Sequence, residues 1–132
     1  MMLLAFATGA RTEAPLTVLR IVVNGAITPA TSEFVEEAIE EAGRTGSAAL
    51  LIELDTPGGL LPSTREIVKQ VLDAPLPVIV YVAPSGAGAA SAGVFITMAA
   101  HVAVMAPGTN IGAAHPVGGQ GQEIPGVMGE KV

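Results

Sequence analysis

Four short runs of aliphatic and β-branched residues alternate with three segments of helical periodicity, and this alternation limits the chain's fold more than any other feature. The runs are Leu16–Val23 (LTVLRIVV), Ala48–Asp55 (AALLIELD), Pro77–Val82 (PVIVYV) and His101–Ala106 (HVAVMA), each with the composition of a strand. Asn24-Gly25 closes the first as a turn, and Thr56-Pro-Gly-Gly59 stops the second. Between the first two runs, Thr31–Gly43 places Phe34, Val35, Ala38, Ile39 and Ala42 on one helical face. Glu33, Glu36, Glu37, Glu40 and Glu41 lie elsewhere as a solvated face, and Gly43 is the expected C-cap. A second helix follows, opened by the capping-box spacing Ser63-Thr64-Arg65-Glu66 and carried to about Asp73 by Ile67, Val68, Val71 and Leu72. A third is expected over Ala90–Ala100.

Strand and helix in strict alternation predict right-handed βαβ crossovers and a mostly parallel sheet, hence an α/β fold. With 132 residues, the chain has room for one such domain. Half of it is apolar but only 3% is aromatic, so Val, Ile, Leu and Ala must fill the core, as in central parallel strands. Ligand sites of such sheets lie beyond the carboxyl ends of the strands, where both small-residue stretches fall, TPGG and Pro84–Gly93 (PSGAGAASAG).

Composition also excludes several function classes. Twelve acidic residues against six basic ones give a net charge of −6 with no Lys/Arg cluster, so a nucleic-acid partner is not expected. Without cysteine there is neither a disulfide framework nor a thiolate metal site. Residues 74–122 carry no Asp, Glu, Lys or Arg, and Val78–Met105 is long enough to span a bilayer. Pro84, His101 and the division into two β-rich runs favour strands over a span. Residues 1–14 (MMLLAFATGARTEA) read as the remnant of a signal or anchor segment, or as an irregular start, and 15–132 as the domain. After Ala106 the chain is loop-like to Val132, an uncommon way for a domain to close, so truncation at that end is expected.

Three readings compete for PSGAGAASAG beyond the span. As a dinucleotide loop, Gly86-x-Gly88-x-x-Ser91 lacks the third glycine and the acid about 20 residues on, since the first acid after the motif is Glu123; no Gly-Lys-Ser/Thr follows for a P-loop. As a linker, it would not sit between a regular strand and helix. As a strand-to-helix turn it presents Ser91 near unpaired backbone N–H groups, which favour the negative charge of acyl transfer. Ala89, Ala90, Ala92 and Gly93 clear space around that hydroxyl, although close helix packing selects small residues too. Ser85 reads as turn structure. A serine nucleophile needs a base. His101 opens an apolar strand and reads as a core or edge histidine. His115 lies in a glycine-rich loop, and Lys131 is the one lysine besides Lys69, which belongs to a polar helix face. A desolvated lysine can act as a base, whereas an ordinary lysine near a chain end is simply solvated.

LIELDTPGGLLPSTREIV, YVAPSGAGAASAGVFI, APGTNIGAAHPVG and the terminal EKV together resemble the ClpP-class protease domain of the NfeD family, membrane-bound serine proteases associated with stomatin-like proteins. The resemblance covers nearly the whole chain. It implies a ClpP/crotonase-type fold, Ser91 as nucleophile, the N–H groups of Gly59 and Ala92 as oxyanion hole, and Gly58 and Leu60 beside the substrate groove. It further implies a serine–lysine dyad with Lys131 as base, whereas ClpP relatives nominate His115. No metal or cofactor is implied. The expected partner is a hydrophobic peptide segment of a stomatin-like membrane protein, in a homo-oligomer associated with a membrane on its extracytoplasmic side. A non-catalytic scaffold of the same fold, and a crotonase-type thioester enzyme for which the chain lacks a basic coenzyme site, are the competing readings.

Overall fold

The computed structural model describes Gly9 and residues 14–114, and all structural statements concern these residues. The elements run β1 (Val18–Asn24), α1 (Pro29–Arg44), β2 (Ala49–Asp55), α2 (Leu61–Asp73), β3 (Val78–Val82), β4 (Gly88–Ala90), α3 (Ala92–Ala99), β5 (Val102–Met105) and β6 (Asn110–Gly112). β1, β2, β3 and β5 form a parallel sheet in that spatial order. Successive strands thus add always on the same side. With crossovers of one hand, that order carries every helix to one face of the sheet.

The burial pattern follows this asymmetry. Ile21 and Val23 of β1, Leu50, Ile52 and Leu54 of β2, and Val78, Val80 and Val82 of β3 all point into one core. Val35, Ala38, Ile39 and Ala42 of α1, Ile67 and Val71 of α2, and Ile96 of α3 meet them there. The alternate residues face the other side and are only half covered, among them Leu51, Glu53, Ile79 and Tyr81. On that open face Arg20 Nε donates to Glu53 at 3.0 Å, a cross-strand ion pair exposed enough to contribute about 0–1 kcal/mol.

Helix boundaries follow local chemistry that periodicity alone places less well. α1 starts at Pro29, whose ring presets the first helical φ, behind an N-cap at Thr28. The Thr28 hydroxyl accepts from the Thr31 N–H, and the Thr31 hydroxyl accepts in return from the Thr28 N–H. Gly43 does not end this helix. Gly46, at φ +68°, takes the left-handed position, with Gly46 N–H bonded to the Gly43 carbonyl and Ser47 N–H to that of Ala42. Phe34, expected on the buried face, is 43% exposed at its margin.

The capping box expected at Ser63 does not form. Pro62 moves the helix start upstream to Leu61, so Ser63 lies within the first turn and is buried, while the Thr64 hydroxyl donates back to the Leu60 carbonyl. Glu66, freed from capping, accepts instead from the Ser32 hydroxyl across the α1–α2 interface at 2.8 Å. Ala90 likewise belongs to β4 rather than to α3, because its N–H is taken by the Thr56 carbonyl. His101 is an edge histidine: it is exposed, and its Nδ1 accepts the Val78 N–H at 3.0 Å, at the end of the sheet opposite Ser91. Among the described residues no helix is long and apolar enough to cross a membrane.

Because Leu50 is fully buried between sheet and helices, Leu50→Ala is expected to lower unfolding free energy by about 2–5 kcal/mol in denaturant titration. Val22→Thr, on the open face where Val22 is 47% exposed, should change it by no more than about 0.5 kcal/mol.

Candidate active site

Past the carboxyl ends of β1, β2 and β3 the chain does not turn straight into helices. It first builds a second, smaller layer of parallel pairings. Ile27 bridges to Gly59, Thr56 bridges to Ala89, and β4 pairs with β6. The bonds are regular: Ile27 N–H to the Gly58 carbonyl at 2.9 Å, Leu60 N–H to the Ile27 carbonyl at 2.9 Å, Thr56 N–H to the Gly88 carbonyl at 2.8 Å and Ala90 N–H to the Thr56 carbonyl at 3.0 Å. The carboxylate of Asp55, at the last position of β2, accepts the Gly88 N–H at 3.0 Å and ties the layer to the main sheet. Runs this short have no periodicity to read, so β4, β6 and the two bridges escape sequence analysis.

Ser91 stands where this layer gives way to α3. Its backbone is at φ 51°, ψ −109°, a region non-glycine residues adopt only under strain of order 1–3 kcal/mol. What holds it there is pairing on both sides. Ala90 N–H is bonded to Thr56, Ser91 N–H donates to the Gly112 carbonyl of β6 at 2.8 Å, and the Ser91 carbonyl accepts from Val94 as α3 begins. A sharp strand–turn–helix of this kind lifts the side chain out of the sheet, and the Ser91 hydroxyl makes no cap bond to its own helix. Ser91 is half-buried, whereas Ser85 sits exposed in the preceding turn.

The small residues are required by contact. A Cβ on Gly58 would lie 2.9 Å from Ser91 Cβ and 3.3 Å from its Oγ, so the TPGG backbone lies directly over the serine. On Gly59 a Cβ would strike the Ile27 backbone at 2.2 Å, and on Gly93 it would meet Thr56 Cγ2 at 2.8 Å. Packing and access to the hydroxyl therefore select the same residues.

Two N–H groups near Ser91 have no acceptor among the described residues. Gly59 N–H makes no bond although its neighbours Gly58 and Leu60 both do, and Ala92, first residue of α3, carries one of the N–H groups that a helix start leaves unpaired. Leu60, 55% exposed, and Leu61, 50% exposed, follow directly and give this end of the sheet an apolar border. The structure thus brings together Ser91, Ala92, Gly58, Gly59 and Leu60. His115 and Lys131 lie outside the described residues. No group of three His, Asp or Glu side chains among the described residues is arranged to hold a metal ion. Thr56 and Asp55, which organise the layer, were overlooked in the sequence; the one signal was a hydroxyl residue immediately before Pro-Gly-Gly.

The sequence matches the family described as NfeD1b, N-terminal domain, over residues 17–126. Membrane-bound protease PH1510 of Pyrococcus horikoshii is 43% identical over 100 residues, covering 76% of this chain and 23% of its own length. Among solved structures, a lysine-to-alanine variant of 1510-N, a membrane-bound stomatin-specific protease, in complex with a substrate peptide, is 39% identical with a TM-score of 0.81. The match covers 86% of this chain and 54% of that one; a serine-to-alanine variant of the same domain matches equally well, also with a TM-score of 0.81. ClpP1 of Listeria monocytogenes, 22% identical over 76% of this chain and 58% of its own, shares the fold with a TM-score of 0.66. The chain spans about a quarter of the curated relatives and about half of the solved chains. On this evidence the chain has a ClpP-like α/β fold and belongs to the NfeD1b N-terminal domain family.

Proposed function

We propose that this chain carries the nucleophile and oxyanion hole of a membrane-associated serine endopeptidase that cleaves hydrophobic segments of stomatin-like proteins. The observation that supports it most directly is the strained Ser91 turn, lying beneath the TPGG backbone and flanked by the N–H groups of Gly59 and Ala92, which have no acceptor among the described residues. Strain at a hydroxyl-bearing residue, small neighbours and free donors are what acyl transfer needs at one point. The names of the relatives add a stomatin-specific protease, and the two 1510-N variants replace a lysine and a serine, the residue types of the proposed dyad.

In this reading the Ser91 Oγ attacks the scissile carbonyl carbon while its proton passes to the neutral amine of Lys131. The carbonyl oxygen becomes an oxyanion held by the Gly59 and Ala92 N–H groups. Collapse breaks the C–N bond, Lys131 returns the proton to the leaving amine, and the acyl group remains as an ester on Ser91. Water, deprotonated by the same amine, then attacks the ester, and the carboxylic product leaves as Ser91 regains its proton. An extended apolar peptide suits the site, because Gly58 leaves room beside Ser91 and the border at Leu60 and Leu61 offers aliphatic surface without charge. The domain works as a homo-oligomer on the extracytoplasmic side of a membrane, with residues 15–132 as the catalytic unit and 1–14 as the remnant of its anchor or signal. His115 is the competing base.

The test uses the protein at its full natural length. Labelling by a fluorophosphonate and hydrolysis of an apolar peptide should both vanish in Ser91→Ala; labelling that persists would sink the nucleophile assignment, and a parent that neither labels nor cleaves would point to a scaffold. Lys131→Ala should reduce turnover at least 10³-fold and His115→Ala by less than about tenfold. Loss confined to the histidine variant would reverse the choice of base. Because the Ser91 backbone is strained, Ser91→Gly should raise unfolding free energy by about 1 kcal/mol while abolishing labelling, measurable by thermal denaturation.

A further inference from the structure

We propose that Thr56 is a positioning residue whose hydroxyl aims the Gly59 N–H, an inference that rests on the acyl-transfer reading of Ser91. Three observations converge on this side chain. Thr56 is 2% exposed, and its Oγ1 both accepts the Gly58 N–H at 3.1 Å and donates to the Gly58 carbonyl at 3.2 Å. That hydroxyl therefore grips the peptide units on both sides of Gly58, which at φ +120° has few other restraints. The Gly58 carbonyl has a second donor, the Ile27 N–H at 2.9 Å.

The geometry of the trans peptide supplies the consequence. In one peptide unit the C=O and N–H bonds point in opposite directions. With the Gly58 carbonyl held by Thr56 and Ile27, the Gly59 N–H of the same unit must point away from both. The same segment crosses over Ser91, so closely that a Cβ on Gly58 would lie 2.9 Å from Ser91 Cβ. Without the hydroxyl, one of the two donors holding the carbonyl is gone and the buried Gly58 N–H has no acceptor, so the unit can rotate.

Thr56 is itself well fixed. Its N–H and C=O are bonded to Gly88 and Ala90, on either side of Ala89 in β4, and its methyl fills the space left by Gly93. One residue thus ties the end of β2, the Pro-Gly-Gly turn and the strand that delivers Ser91 into a single unit.

The experiment measures steady-state hydrolysis of a fluorogenic apolar peptide by the protein at its full natural length. Thr56→Val keeps the shape and removes the hydroxyl. It should lower kcat by about ten- to a hundredfold, less than the 10²–10³-fold of an oxyanion donor deleted outright, with KM within about threefold. Thr56→Ser should restore kcat to within about threefold. Unchanged kcat in a folded valine variant, a loss expressed in KM alone, or a folded serine variant as slow as the valine one would each overturn the proposal. Should the valine variant not fold, Thr56→Ser and Thr56→Ala, which differ in the hydroxyl alone, give the same comparison. Hydrogen exchange at the Gly58 amide, which needs no catalysis, separates this proposal from the assignment of Ser91. Faster exchange in Thr56→Val, with protection regained in Thr56→Ser, supports the grip even if Ser91→Ala keeps activity, and unchanged exchange refutes it.

Discussion

Everything distinctive in this structure depends on backbone approaching backbone at the end of β2. Thr56 exchanges hydrogen bonds with Gly88 and Ala90, and Gly58 and Gly59 lie so close to Ser91 and Ile27 that no Cβ fits. Hydrogen-bonded neighbours on the sheet set the position, and steric exclusion removes the alternatives. The cost is conformational: a serine at φ 51° and several glycines that lose more freedom on folding than other residues would. The core beneath, with Leu50, Ile52, Leu54, Val78, Val80 and Val82 essentially inaccessible to solvent, is what opposes that cost.

The two layers divide the labour. The parallel sheet, with its monotonic strand order and helices on one face, is a rigid base whose stability comes from aliphatic burial. The short pairings above it are held by hydrogen bonds to Asp55 and Thr56 at the end of β2. In the proposed function this fixes the donors before any ligand arrives, the condition under which backbone N–H groups stabilise developing charge most effectively.

Long elements were legible from residue patterns. The runs that became β1, β2, β3 and β5 are aliphatic enough to identify, and the helices were found within about two residues at most ends. Misplaced boundaries have local causes. Pro62 drew α2 upstream of Ser63, and Gly46 rather than Gly43 supplied the left-handed turn after α1. Ser91 was singled out because small residues surround it between a strand and a helix, and the fold places it where that reading expected. The roles assigned to Lys131 and His115 rest on resemblance and on the proposed chemistry, since both lie outside the described residues.

By itself the sequence determined the α/β alternation, the end of the sheet at which the small-residue stretches gather, and the serine set among them. Those are local properties: periodicity, turn chemistry and side-chain size act over a few residues, so a single chain displays them. Tertiary structure alone decided that Gly58 lies over Ser91, that Gly112 holds the Ser91 N–H, and that the Thr56 hydroxyl grips the Gly58 peptides. The Ser91–Gly112 and Ala90–Thr56 hydrogen bonds join segments 21 and 34 residues apart through backbone atoms. Every residue carries the same backbone atoms, so nothing in their side chains announces which of them will meet.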